Sequence, residues 1–224
     1  MQTDTEALEV IIPVGPGETA WQALLQHLPR DWPIRISATE ARPAHLSDRI
    51  TWLNGPAGRG GQLNRAAESS RARWLWFVHA DSLPDPTALA QIQMLCTGDT
   101  ECLAYLDLCF FDDGPWLTRL NAIGANLRSR LLALPYGDQG LCVPRPWFWR
   151  LNGFREDLDR GEDLDFVIRA RAAGLPPQRL AGRMQTSARR YREQGWLATS
   201  WRHQVNAWRL ARDARSRLRE EGRT

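Results

Sequence analysis

Lysine does not occur anywhere in the 224-residue sequence, so arginine supplies all 29 of its basic side chains. Clusters of arginine suit phosphate recognition because the guanidinium group binds phosphate in a forked geometry, but a genome-wide compositional bias gives the same excess and is the explanation we favour. The formal net charge is only +3. Such a mild charge argues against a dedicated nucleic-acid-binding protein.

The sequence also lacks a hydrophobic run of the roughly 20 residues that a membrane-spanning helix needs. Its N-terminus is acidic, with no basic region followed by an apolar core, so we expect neither an export signal nor an integral membrane protein. No C-x-x-C spacing occurs among the four cysteines, which are Cys96, Cys102, Cys109 and Cys142. We therefore expect reduced core thiols in a cytoplasmic protein.

Apolar segments of strand length alternate with segments of helical periodicity, which is typical of a parallel α/β sheet. The length suits roughly one domain with a helical appendage. The predicted strands are 8–14, 34–36, 50–53, the run that ends near 78, 102–111, and a short strand that follows the polar turn within 136–145. The predicted helices are about 19–28, one that follows 58–64, one that begins at 85–86, and about 116–134.

The run of large apolar residues from Trp74 to Val78 stops abruptly at His79, Asp81 and Pro84. A central parallel strand is buried on both faces, so its sequence is a continuous run of hydrophobic residues. Ligands of such sheets bind beyond the carboxyl ends of the strands. Asp81 is therefore a candidate site residue. Its alternative role is to open a turn before Pro84.

Two further polar segments flank predicted helices. The glycine-rich segment 58–64 precedes a helix, so its backbone N–H groups and Arg59 suit an anion. A glycine cluster alone is a weak signal, and without the strand that follows a flexible turn before an ordinary helix would be favoured. Glu162, Asp163 and Asp165 begin a later helix, where acidic side chains also act simply as favourable partners of the helix dipole.

In sequence order these motifs are 10–14, 58–64, His79-Ala80-Asp81, Gly137-Asp138-Gln139, 152–154 and Glu162-Asp163. Together they resemble family 2 glycosyltransferases of GT-A fold, and more narrowly the bacterial subgroup labelled rSAM/selenodomain-associated transferase 2. The resemblance covers about residues 8–192. It implies an α/β domain, 1–192, with an open and mostly parallel sheet flanked by helices, followed by a C-terminal helical extension, 193–224.

The resemblance also implies an inverting, metal-assisted transfer of a sugar from a nucleotide-diphosphate donor to an acceptor hydroxyl. Asp81, matching the last position of a D-x-D type motif, would bind Mg²⁺ or Mn²⁺. Asp163 would be the general base, and Glu162 would orient the acceptor or the base. No second metal ligand is identified.

The remaining implied contacts are with the two substrates. Asp138 and Gln139 would bind hydroxyl groups on the acceptor side. His79 either contacts the donor or packs, and Arg189 and Arg190 either close over the diphosphate or begin a solvated helix. The implied donor-binding set is Pro13, Val14, Glu40, Arg59, Gln62, Asn64, His79, Arg189 and Arg190.

Two stretches depart from the family pattern. Many relatives have an aspartate cluster after the second strand, where this chain has 37–42, and Glu40 is the candidate substitute. The loop 15–18 is also altered. These departures leave open a catalytically degenerate protein that binds a nucleotide or a partner protein. A sugar-nucleotide pyrophosphorylase is disfavoured, because its glycine-arginine segment would follow the first strand.

The segment from Gly195 to Arg219 interleaves tryptophans with arginines. A helix with these two faces would lie on an anionic membrane surface, near a lipid-linked acceptor, or would pack on the domain or on a partner subunit, which we favour slightly. We accordingly expect a cytoplasmic protein that either stays free of the membrane or binds peripherally to its inner face.

Overall fold

The computed structural model describes residues 7–194 together with 212, 216 and 217. In this part of the chain, eight strands form one sheet. They are β1 (Leu8–Val14), β2 (Ile34–Ala38), β3 (Ile50–Asn54), β4 (Trp74–Phe77), β5 (Ser82–Pro84), β6 (Leu103–Phe110), β7 (Cys142–Pro144) and β8 (Pro177–Thr186). The helices are α1 (Trp21–His27), α2 (Arg59–Glu68), α3 (Pro86–Thr97), α4 (Thr118–Leu132), α5 (Arg145–Arg150), α6 (Glu162–Ala172) and α7 (Arg189–Gln194).

The strand order across the sheet is β3-β2-β1-β4-β7-β6-β8-β5. β1 pairs in parallel with β2 and β4, β2 with β3, and β6 with β8. β7 is antiparallel to β4 and β6, and β5 is antiparallel to β8. The largely parallel α/β sheet predicted from the sequence is therefore confirmed. Because β1 to β4 run in parallel, their carboxyl ends share one edge, where ligands of such sheets bind.

Apolar residues cover both faces of the central strands. In β1, Val10 and Ile12 belong to one core cluster, whereas Ile11 belongs to the cluster on the opposite face. In β4, Trp74 and Trp76 lie on the first face and Leu75 and Phe77 on the second, all of them buried. This two-sided burial is why a continuous apolar run in the sequence gives a central parallel strand.

Several predicted boundaries agree with the structure. Asp85 caps α3, since its Oδ1 atom accepts a 2.7 Å hydrogen bond from the Ala88 N–H, and Pro86 occupies the first helical position. The predicted helix 116–134 corresponds to α4. The four cysteines are free thiols, three of them buried and Cys109 half-buried, as expected from the sequence.

Other elements were not predicted. The strand β8 was not predicted because its sequence, PQRLAGRMQT, contains no β-branched residue before its last position. The short strand β5 and the antiparallel pairs of β7 depend on partners distant in sequence. No helix in the described ranges is long and apolar enough to cross a membrane.

The predicted C-terminal extension, 193–224, with its tryptophan-bearing face, lies almost entirely outside the described residues. One described residue within it contacts the domain, because Arg217 Nη2 lies 3.3 Å from Asp165 Oδ1. Asp165 is buried and also pairs with Arg169 at 2.7 Å and with Arg155 at 3.5 Å. Among the described residues, Asp165 is therefore paired with Arg155, Arg169 and Arg217.

Candidate functional site

Three side chains from three different elements converge on Gly137. This glycine begins a short 3-10 helix, Gly137–Gln139, between α4 and β7. A methyl group at this position would lie 2.9 Å from Asp163 Oδ2, 2.9 Å from His79 Nε2 and 3.0 Å from Arg59 Nη2. The fold therefore joins the segment after β4, the first turn of α2 and the first turn of α6 at one point.

Asp163 is held by two backbone N–H groups. Its Oδ2 atom accepts a 2.6 Å hydrogen bond from Gly137 N–H, and its Oδ1 atom accepts a 2.8 Å bond from Leu164 N–H. The side chain is only half-buried. Because each carboxylate oxygen has a second lone pair, Asp163 keeps the capacity to accept a further proton or hydrogen bond in a fixed orientation.

Glu162 is buried beside Asp163 and pairs with Arg59, whose Nε atom lies 2.9 Å from Glu162 Oε1. Burial raises the pKa of Glu162, the Asp163 carboxylate raises it further, and the Arg59 guanidinium lowers it. The exposed fraction of the Arg59 side chain is 40%, against 4% for Glu162. Arg59 thus keeps one face open to the cleft while it compensates a buried carboxylate.

The acidic residues of α6 divide between two environments. The N-cap position is Gly161, which has φ of 84° and no capping side chain, so none of the three carboxylates is the N-cap. Glu162 and Asp163 turn toward Gly137 and Arg59. Asp165 pairs instead with the arginine group described above. A purely capping role therefore does not explain Glu162 and Asp163.

Asp138 links the predicted base to the predicted metal ligand. Burial raises the pKa of Asp138 to about 6, with Arg128 and Arg59 lowering it and the carboxylates of Asp163 and Asp81 raising it. Both carboxylates therefore act electrostatically on Asp138, and Asp81 lies two residues after His79, whose Nε2 atom is beside Gly137 together with Asp163 Oδ2. The Oδ1 atom of Asp138 is buried and has no hydrogen-bond partner among the described residues.

Two residues of the glycine-rich segment have structural contacts. Gln62 is buried, and its Nε2 atom donates 2.8 Å hydrogen bonds to the carbonyls of Val14 and Ser37, tying the ends of β1 and β2 to α2. Asn64 Nδ2 donates to Phe154 O at 2.8 Å, and its Oδ1 accepts from Phe154 N at 2.9 Å. We expected both side chains to bind a donor directly. In the structure they instead satisfy buried backbone groups beneath the cleft.

Gln139 also differs from its sequence-based interpretation. Its side chain has no exposed surface, accepts hydrogen bonds from Ser129 Oγ at 2.6 Å and Tyr136 N at 3.2 Å, and donates to Leu106 O at 3.0 Å. It therefore fixes the turn that carries Gly137 and Asp138 and does not reach an acceptor. Of the predicted acceptor pair, only Asp138 lies at the cleft.

Close packing explains part of the glycine-rich segment. Gly58 has φ of 135°, which strongly favours glycine, and a methyl group at Gly60 would lie 2.7 Å from the Arg155 carbonyl oxygen. The alternative of a flexible turn is not supported, because the start of α2 packs directly against the segment that follows Phe154.

Other predicted donor residues lie near the carboxyl ends of β1 and β2. Glu40 is exposed, and its Oε1 atom accepts a 2.9 Å hydrogen bond from Gly17 N–H, which joins the two loops. Arg189 Nη2 lies 3.8 Å from Glu18 Oε2 in the same region. Pro13 is half-buried and Val14 buried at the end of β1. The Arg190 side chain is outside the described residues.

Sequence reasoning gave Gly137 no role of its own within its motif and did not identify Arg128. Gly137 has a signal, since a residue without a side chain directly precedes Asp138 in the motif. No sequence signal distinguishes Arg128 from the other two arginines of α4. In the structure its guanidinium stacks 3.5 Å above the Tyr136 ring and lowers the pKa of Asp138.

The residues at this cleft suit two kinds of chemistry. Arg59 and Arg189 are exposed cations near the ends of parallel strands and suit a phosphate-bearing ligand. Asp81, Asp138 and Asp163 supply carboxylate oxygens for a hard cation, a hydroxyl group or a proton. The described residues contain no cluster of three or more His, Cys, Asp or Glu side chains arranged to hold a metal ion.

The chain matches no protein-family model and no curated protein sequence. Among solved structures it is similar to S. aureus TarS, with a TM-score of 0.61, 14% identity and 81% of this chain covered. It is also similar to TarS 1–349 in complex with UDP-GlcNAc (TM-score 0.60, 14% identity, 81% covered) and in complex with UDP (TM-score 0.58, 13% identity, 81% covered).

The similarity covers only part of these neighbours. The chain spans 36% of the length of TarS and 58% and 60% of the two TarS 1–349 chains. Likeness at such low identity bears on the fold alone. That fold is the GT-A-like one expected from the sequence motifs, with a largely parallel curled sheet flanked by helices.

Proposed function

We propose that the chain is an inverting glycosyltransferase that moves a sugar from a nucleotide-diphosphate donor to an acceptor hydroxyl. The observation that carries this proposal is the half-buried Asp163 carboxylate, which Gly137 N–H orients at the point where His79 and Arg59 also meet Gly137. The fold of TarS, a glycosyltransferase crystallised with UDP-GlcNAc and UDP, adds support. Membership of the rSAM/selenodomain-associated subgroup stays a prediction from the sequence.

Asp163 is proposed as the general base. As the acceptor oxygen bonds to the anomeric carbon from one face, the bond from that carbon to the donor phosphate oxygen breaks on the other face. The diphosphate leaves with the electron pair, and the acceptor proton passes to Asp163. Configuration at the anomeric carbon is therefore inverted. Glu162, held by Arg59, would orient the base and the acceptor.

Asp81 is proposed as the ligand of Mg²⁺ or Mn²⁺. A bound cation would neutralise the charge that develops on the leaving diphosphate. The donor set fits such an ion, because Mg²⁺ commonly uses one or two carboxylates together with substrate phosphates and does not need a complete protein cage. The Oδ1 atom of Asp138 is buried without a hydrogen-bond partner among the described residues, and a bound cation or hydroxyl group would satisfy it.

The proposed donor contacts are of two kinds. Arg59 and Arg189, with Arg190, would contact the diphosphate, and Glu40 would contact the nucleoside beyond β1 and β2. Gln62 and Asn64 would act on the donor only through the backbone that they support. His79, beside Gly137, would contact the sugar or phosphate, and Asp138 would bind hydroxyl groups.

The acceptor is proposed to be a small molecule or a lipid-linked group, met in the cytoplasm or at the inner face of the membrane. A second candidate function is a GT-A-like protein that binds a nucleotide without catalysing transfer. It is favoured by the loop 37–42, which has no aspartate, and by the Glu40 carboxylate, which is already bonded to Gly17.

Thermal unfolding in the presence of UDP-GlcNAc, UDP and other nucleotide sugars, with Mn²⁺ or with EDTA, tests the donor side of the proposal. A ligand that binds only the folded state raises Tm. We expect stabilisation by at least one nucleotide sugar that requires Mn²⁺ and is lost in Asp81→Asn. Asp99→Asn, a change at a fully exposed carboxylate, is the matched control and should retain it.

Product analysis distinguishes the two functions. Detection of sugar transfer or slow donor hydrolysis supports the enzyme. Nucleotide binding without either reaction, across the whole donor panel, supports the binding protein. If no nucleotide or nucleotide sugar stabilises the chain, both proposals fail.

A further inference from the structure

The solvent-facing side of α4 carries a ridge of large apolar side chains. We define the α4 ridge as Trp116, Leu120, Ile123, Leu127 and Leu131, whose exposed fractions are 71%, 51%, 55%, 49% and 76%. The spacings of three, four and four residues from Leu120 to Leu131 keep these four on one face of α4, and Trp116 lies in the turn directly before the helix. The buried side of α4 is formed by Thr118, Ala122 and Ser129.

This arrangement reverses the usual pattern of a surface helix. An amphipathic helix normally turns its apolar face to the core, whereas α4 presents small and polar residues to the core and its largest apolar residues to solvent. Single exposed apolar side chains are ordinary, but a contiguous ridge along four turns marks an interaction surface.

Charge identifies the kind of partner. Arg119 and Arg130 are exposed on one edge of the α4 ridge, and the sequence from Gly114 to Gly137 contains no Asp or Glu. Both arginines form ion pairs with carboxylates outside this stretch. Asp112 lies 3.4 Å from Arg119, and Asp107 lies 2.5 Å from Arg130. The Arg119–Asp112 pair is exposed and therefore weak, so Arg119 is able to bind other anions. Arg130 is held more firmly, because the side chain of Asp107 is only 15% exposed, and Asp107 also pairs with Arg179.

We propose that the α4 ridge binds the surface of an anionic lipid bilayer. An interfacial helix buries Leu, Ile and Trp side chains at the boundary of the acyl chains and keeps arginines at the anionic headgroups. Trp116 at the N-terminal end suits the interfacial region. A second copy of the chain fits less well, because a two-fold contact between α4 helices sets arginine edges against each other and the helix offers no carboxylate in return.

The opposite side of α4 reaches the candidate site. Ser129 Oγ donates a 2.6 Å hydrogen bond to Gln139, within the turn that presents Gly137 and Asp138 to Asp163. A bilayer bound to the ridge would therefore lie across α4 from the turn that carries Gly137 and Asp138. This surface goes beyond the proposed function, since its binding to lipid does not require catalysis.

Sedimentation of the full chain with vesicles tests the proposal. We expect binding to vesicles of equal parts phosphatidylglycerol and phosphatidylcholine, and much weaker binding to pure phosphatidylcholine. Leu127→Glu and Leu131→Glu each place a charge in the ridge at an exposed position and should weaken binding by about tenfold or more. Met94→Glu adds the same charge at a 62% exposed residue of α3 and should bind like the wild type.

Three results would overturn the proposal. The first is a wild-type chain that does not sediment with anionic vesicles. The second is equal loss of binding in Met94→Glu, which would make the effect one of net charge. The third is a stable dimer that Leu127→Glu dissociates, since the ridge would then be an interface between two copies. Donor binding and transfer are measured separately, so failure here leaves the proposed function intact.

Discussion

The Asp163 carboxylate accepts a 2.6 Å hydrogen bond from the backbone N–H of Gly137, although the two residues are 26 positions apart in the sequence. This bond joins the first turn of α6 to the turn that carries Asp138. It also explains why the motif has a glycine at that position, because His79 and Arg59 occupy the adjacent space. The site depends on close contact between segments distant in sequence.

Replacing Gly137 with alanine should disturb this junction. The added methyl group would lie 2.9 Å from both Asp163 Oδ2 and His79 Nε2, so one of these side chains must move. We expect kcat for transfer to fall by about 10- to 100-fold, because small displacements of a catalytic group have effects of this size. Steady-state kinetics with a donor identified by thermal shift measures the effect.

Gly124→Ala is the matched control for this substitution. Gly124 lies within α4 and has nothing within 4 Å of the position of an added methyl group. Alanine should stabilise the helix by about 1 kcal/mol and leave kcat unchanged. A Gly137→Ala variant with unaltered kcat would mean that the orientation of Asp163 does not matter for the reaction.

Asn64→Ala should destabilise the protein through lost hydrogen bonds. Asn64 joins α2 to the backbone of Phe154 and to Glu156 Oε1, and its side chain is buried. We expect a decrease of about 2–4 kcal/mol in the free energy of unfolding, measured with urea. Exposed Glu68→Ala in the same helix should change it by less than about 0.5 kcal/mol.

The same variant distinguishes a supporting role from a donor contact. If Asn64→Ala unfolds like the wild type but binds nucleotide sugars less tightly, the side chain contacts the donor directly, as its place in the sequence motif predicted.

Asp138 should make stability depend on pH. Its pKa rises from 3.8 to about 6 in the folded chain, first through burial, so the folded state binds more protons than the unfolded state between these values. Stability therefore falls as pH rises from about 4 to about 6 and changes no further from this cause. A shift of two units corresponds to about 3 kcal/mol, and we expect about 1–2 kcal/mol because Asp138 is partly exposed.

Asp138→Asn tests this linkage in metal-free buffer. The variant should be more stable than the wild type at pH 7 and similar to it at pH 4, as measured by urea unfolding. Identical pH profiles for the two proteins would show that the Asp138 carboxyl is well solvated.

Arg59→Gln should move the acidic limb of the pH–rate profile to higher pH. The Arg59 guanidinium lowers the pKa of buried Glu162, so its loss raises that pKa and protonates Glu162 over a wider range. The dependence of kcat/KM on pH checks this direction. Arg71→Gln, at an exposed arginine just beyond α2, should leave the limb in place.

Local sequence signals predicted the frame of the fold. The continuous apolar run of β4 predicted a central strand, and Asp85-Pro86 predicted the start of α3. Both signals could be recognised because they depend only on residues adjacent in the sequence. β8 was not predicted because its pairing with β6 and β5 is non-local and its sequence has little β propensity.

The candidate site was predicted less evenly. His79, Arg59 and Asp163, which come from three of the sequence motifs, meet at Gly137. The metal-binding role of Asp81 stays a prediction. Gln62, Asn64 and Gln139 belong to the same motifs but bond to buried backbone or side-chain groups. A sequence cannot separate these two uses of a polar residue, because both require a hydrogen-bonding side chain at a strand or helix end, and only the burial of that side chain distinguishes them.

Transfer and nucleotide binding by Asp163→Asn test the central claim most directly, with exposed Asp159→Asn as the control. Asparagine has nearly the size of aspartate, but it is not a useful base at neutral pH and can accept only one of the two backbone N–H bonds that hold Asp163. Transfer should therefore fall by about 100-fold or more while donor affinity stays close to that of the wild type. Asp159→Asn should change neither quantity. Wild-type turnover by Asp163→Asn would contradict the assignment of Asp163 as the general base.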